Sequence, residues 1–119
     1  MSTRDAYYDW QYTKEDEADS ERKAKEAAAK YEAAKARAAE LREAELKANQ
    51  ELDAINRKLN TLQVSELPAI SKKRRELMDL LELLSPLVHD ANNRADGLKK
   101  EYTEREKEFR QYKNARAAG

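Results

Sequence analysis

The 119-residue sequence predicts an all-α fold, a long antiparallel coiled-coil helical hairpin, and three observations carry that prediction. From Lys14 to Gln63 there is neither proline nor glycine, and alanine, glutamate, lysine, arginine and leucine dominate, all strong helix formers. Apolar residues recur at alternating steps of three and four along two stretches, the signature of a helix seam. Those two patterns do not share one phase, so a single continuous helix cannot hold both; the break falls at QVSELP.

The first helix is expected over about residues 14–62. Thr13 is its candidate N-cap, and Glu15, Asp16, Glu17 and Asp19 suit the positive end of the helix dipole. Its seam runs Ala24, Ala27, Tyr31, Ala34, Ala38, Leu41, Glu45, Ala48, Leu52, Ile55, Leu59 and Leu62, with Glu45 the only polar member. A turn is expected at residues 63–66, where Ser65 can cap a new helix and Pro68 falls in a first turn that tolerates a missing N–H.

The second helix is expected over about residues 66–117, with its seam on Leu67, Ile70, Arg74, Leu77, Leu81, Leu84, Val88, Ala91, Ala95, Leu98, Tyr102, Arg105, Phe109, Tyr112 and Arg116. Folding back at the turn sets Leu62 against Leu67, Leu59 against Ile70, Leu52 against Leu77, Leu41 against Val88 and Tyr31 against Leu98. Ala27 then lies opposite Tyr102, a small-against-large match. The stretch SPLVHDANNRADG lowers helix propensity, so the second arm is expected to be kinked or interrupted near Pro86. Ser85 and Pro86 could equally start a third helix, which makes a three-helix bundle the structural alternative. Residues 1–12 are set apart as an aromatic N-terminal tail before a hairpin spanning 13–119.

Composition narrows the function classes. Lysine plus arginine and aspartate plus glutamate number 24 each, so no net field draws the chain toward nucleic acid or an anionic membrane. There is no cysteine, one histidine and two glycines, and no phosphate loop, zinc motif or nucleophile elbow. An enzyme is not expected, and no cofactor, metal, membrane or small-molecule substrate is implied. The richest apolar window, LMDLLELLSPLV, is broken by Asp79, Glu82 and Pro86, which points to a soluble cytoplasmic protein or one packaged into a particle from the cytoplasm.

Three stretches could recognise a partner. In LMDLLELLSPLV the intramolecular seam needs only Leu77, Leu81, Leu84 and Val88, leaving Met78, Leu80, Leu83 and Leu87 as surplus. They could be covered by a second copy or another protein, or a kink at Pro86 could fold them onto Leu46 and Ala44. YYDWQY gathers Tyr7, Tyr8, Trp10 and Tyr12, residue types that often anchor interfaces, although they could also cap the open end near Phe109 and Tyr112. Lys72, Lys73, Arg74 and Arg75 form a basic tip and are candidate anion contacts. Glu66, Glu76 and Asp79 flank them and no aromatic side chain is near for base stacking, which favours an ordinary solvated helix surface.

The resulting expectation is a non-enzymatic structural or adaptor subunit that joins protein partners or copies of itself. Phage virion and secretion-machine components share such helical-hairpin plans, an analogy of architecture alone. The alternative is a small helical regulator or inhibitor that binds an enzyme or nucleic acid through one helical face or the basic tip.

Overall fold

The computed structural model describes the backbone of residues 3–118 and the side chains of residues 15–115 and 117. It is an all-α helical hairpin. Helix α1 spans Thr3–Lys58, a 3-10 turn covers Val64–Glu66, and helix α2 spans Leu67–Ala118. No strand occurs among the described residues.

Helix α2 lies within a residue of its expected bounds, whereas the ends of α1 and the turn differ from theirs. The α1 backbone begins at Thr3, not near residue 14, so no helix starts at Thr13 and the acids from Glu15 to Asp19 stand inside the helix. Asp19 pairs instead with Arg22 and, at 3.1 Å, with Lys23, and the Arg22 guanidinium followed by the Lys23 ammonium holds its carboxyl below the usual value. At the other end α1 stops at Lys58, four residues earlier than expected. Thr61 closes the last turn there: both its backbone N–H, at 2.9 Å, and its hydroxyl, at 3.0 Å, donate to the Lys58 carbonyl.

The chain reverses through residues 59–63 and the 3-10 turn, ahead of the expected 63–66. Gln63 is the extended residue that opens the 3-10 turn, and its carbonyl accepts from the Glu66 N–H at 3.0 Å. Ser65 lies within that turn and therefore does not cap α2. Pro68 sits in the first turn of α2, as expected.

Pro86 does not interrupt α2, and no third helix forms. A proline inside a helix leaves the carbonyl four residues back without a donor, here that of Glu82. Both Pro86 and Glu82 are exposed, so water can reach the freed carbonyl and the helix continues.

The chain divides into two compact units: Lys35–Arg94, containing the turn, and Met1–Ala34 with Ala95–Gly119, containing the ends. In the turn unit the core is aliphatic. Ala48, Ile55 and Leu77 form its buried cluster, with Leu52, Ile70 and Leu81 packed against it. The Arg74 Nε donates to Asn56 Oδ1 at 2.9 Å, tying the two helices in the expected register. Full burial of one such leucine or isoleucine contributes about 1.5–3 kcal/mol, so this short stretch supplies much of the drive for the hairpin.

In the end-containing unit small residues replace the aliphatics. Ala24, Ala27 and Ala95 are buried, and the Tyr31 and Tyr102 rings stack with centroids 6.2 Å apart and planes 16° apart. The Tyr102 hydroxyl bonds Glu106, whose charge further disfavours the phenolate, so its pKa is raised. Ser20 and Glu17, also buried, stand where the three-four stepping back from Ala24 falls, so the seam extends beyond its expected start.

Every buried hydrophobic residue described, from Ala24 to Ala95, occupies an expected seam position. The described seam positions that are not buried, including Glu45 and Arg74, are all half-buried.

Candidate interaction surface

Met78, Leu80, Leu83 and Leu87 lie on α2 where helical spacing puts them off the seam, and all four are exposed, at 45%, 42%, 63% and 44%. Leu46 on α1, at 57%, is exposed as well, so the alternative in which the surplus leucines fold back onto it and Ala44 is not realised. Leu80 and Leu87 are seven residues apart, with Leu83 three after the first and four before the second. These three share one flank of the helix, while Met78 falls on the other side of the seam.

Exposure of this kind in a helix that already has a partner is apolar surface beyond what the fold needs. Scattered apolar residues on a surface are ordinary; three leucines in one stripe are not.

The basic tip is larger than its sequence motif. Of the run KKRR, Lys72, Lys73 and Arg75 are exposed, whereas Arg74 is half-buried and held by Asn56. The hairpin adds Arg57 and Lys58 from the last turn of α1. Between residues 57 and 75 six cations therefore stand against one acid, Glu66. Among the described residues, Lys58, Lys72, Lys73 and Arg75 form no ion pair within the chain. Val64, in the 3-10 turn, is 81% exposed. A signal for Arg57 and Lys58 was present: they lie just before the expected turn, as KKRR lies just after it.

The aromatic side chains of Tyr7, Tyr8, Trp10 and Tyr12 lie outside the described residues. His89, the single histidine, is exposed and its Nε2 lies 3.1 Å from the Asn93 amide nitrogen, a local contact one turn along α2. Among the described residues no group of three or more histidine, aspartate or glutamate side chains is placed to share a metal ion, and no helix is long and apolar enough to cross a membrane.

Comparison with known proteins gives no match: no protein-family model, no curated protein and no solved structure matches the chain.

Proposed function

We propose that this chain is a non-enzymatic structural or adaptor subunit of a cytoplasmic assembly, or of a particle built in the cytoplasm, which joins proteins through the coiled-coil hairpin. The observation that carries this reading is the exposed stripe Leu80, Leu83 and Leu87 on a helix whose seam is already filled. A stripe of this size, left in water, has no role in the hairpin and lowers solubility; covered by another helix, it becomes an interface core. The aromatic segment Tyr7 to Tyr12 is the second proposed contact, because tryptophan and tyrosine are the usual interface anchors.

The test replaces Leu80 and Leu87 together by glutamate. Helix content by circular dichroism should stay nearly constant, since neither residue is in the seam, while the mass of complexes recovered from the native source should fall. Unfolding of the isolated chain by that double change would mean the leucines belong to its own core.

A second reading has its own observation, the six cations between residues 57 and 75. It makes the chain a regulator whose tip meets a polyanion such as nucleic acid. Phosphate contacts release counterions, so binding to DNA or RNA should be lost steeply as salt rises, and no binding at low salt removes this reading.

A further inference from the structure

Charge is banded along residues 35–94. The tip, residues 57–75, is strongly basic. The next stretch of α2, residues 76–90, carries Glu76, Asp79, Glu82 and Asp90 and no lysine or arginine. On α1, residues 40–53 hold five acids against Arg42 and Lys47. The exposed leucines thus sit in an acidic band beside a basic one.

The leucine flank carries the same pattern in miniature. Lys73, Leu80, Leu87 and Arg94 recur every seven residues, with Glu76, Leu83 and Asp90 between them, and all seven are exposed. Among the described residues, none of Lys73, Glu76, Asp90 and Arg94 forms an ion pair within the chain. The flank therefore presents leucines with unpaired charges of both signs at each end, a surface that can complement itself.

We infer that a second copy of this chain covers the flank, lying antiparallel with Leu80 of each copy against Leu83 of the other and Lys73 of each opposite Asp90 of the other. This rests on the assembly role proposed above and names its partner. The charges select the arrangement. Parallel copies in register would set basic band on basic band and acidic on acidic. An antiparallel match centred on Leu83 would oppose Lys73 to Arg94 and Glu76 to Asp90, like charges at both ends. Sliding by one helical turn retains leucine contacts, lays the methylenes of Glu76 beside Leu87 and converts both ends to Lys73–Asp90 pairs. The contact is isologous, so one pairing occurs twice about a two-fold axis and the pair closes without forming a filament.

Sedimentation equilibrium of the full chain over a wide concentration range, at low and high salt, tests this. The expected result is a monomer–dimer equilibrium weakened by salt. Leu83→Glu should leave a monomer with unchanged helix content by circular dichroism. Lys73→Glu and Asp90→Lys should each weaken the dimer roughly tenfold, because each turns two attractive pairs repulsive. The double variant, with the charges exchanged, should return to within about threefold of the parent.

Two results would overturn the inference: losses that accumulate in the double variant, or a dimer indifferent to Leu83→Glu. A parent chain that stays monomeric at every concentration and salt also removes the second copy as occupant. The broader assembly role fails separately, if the Leu80→Glu, Leu87→Glu chain recovers the same complexes from the native source as the parent.

Discussion

The unit that contains the turn and the unit that contains the chain ends are built from the same two helices, yet they use their surfaces differently. Ion pairs dress the outside of the second: Lys23 and Arg22 with Asp19, Lys25 with Glu21, Arg105 with Glu108, Arg110 with Glu106. Among the described residues, every exposed large apolar side chain belongs to the first. From Ala48 to Arg94 that unit makes no ion pair at all among the described residues. The end-containing unit pairs part of its own charge over a thin core of alanine and tyrosine. The turn unit has the stronger core and leaves both leucines and charges unmatched outside it. Stability and availability for binding thus lie in one segment, on the seam and on one flank of the same turns of α2.

The sharpest way to break this contrast is to compare two leucines six residues apart. Leu77, 4% exposed, is in the aliphatic cluster, and Leu77→Ala should lower unfolding free energy by about 2–5 kcal/mol. Leu83→Ala, at an exposed position, should change it by no more than about 0.5 kcal/mol while weakening association. Equal effects in urea denaturation would remove the distinction between core and interface.

In the end-containing unit the limit is space. Ala27 is 5% exposed, and Ala27→Leu should cost about 1–3 kcal/mol by overpacking the small side of the seam; a neutral or stabilising result would mean the helices there can spread. The same unit offers an easy gain. A Cβ built on Gly97 meets nothing within 4 Å, so Gly97→Ala should stabilise the helix by about 0.5–1 kcal/mol, read as a higher melting temperature.

The smallest effect concerns Asp19, whose carboxyl is held below its unfolded value mainly by Arg22. A depressed folded-state value means its contribution is present above the unfolded value and lost as pH falls through the folded one. Asp19→Asn should therefore lower the melting temperature slightly at neutral pH, with the difference vanishing in acid. A difference that persists there would assign the effect to something other than the pair.

The hairpin was legible because its information is periodic. From Ala24 to Phe109 the three-four stepping marks residues that are buried or half-buried, and the phase change places the reversal within a few residues. Helix ends were less legible because they depend on local competition. Nothing in composition marks Lys58 as the last residue of α1, whose carbonyl accepts from the backbone N–H and hydroxyl of Thr61 three residues on. Pro86 suggested a break because propensity counts the lost hydrogen bond, whereas at an exposed position solvent can take its place. For the interaction surface, surplus leucines could be found by subtracting the seam, whereas Arg57 and Lys58 needed the pairing of the two helices to join KKRR. Glu17 and Ser20 were missed because polar residues were not expected to continue an apolar stripe.

Pro86 also shapes the kinetics of α2. It contributes no exchangeable amide and leaves the Glu82 carbonyl without its backbone donor, which removes one bond from the ladder, so the turn between them is held by fewer constraints than its neighbours. That turn carries Leu83 and adjoins Leu87. In amide exchange, the protons immediately around Pro86 should be released by local opening long before those near Leu77, which await global unfolding. A helix that breathes at its sticky turn can adjust its curvature to whatever lies against it, and contact there should slow the exchange first.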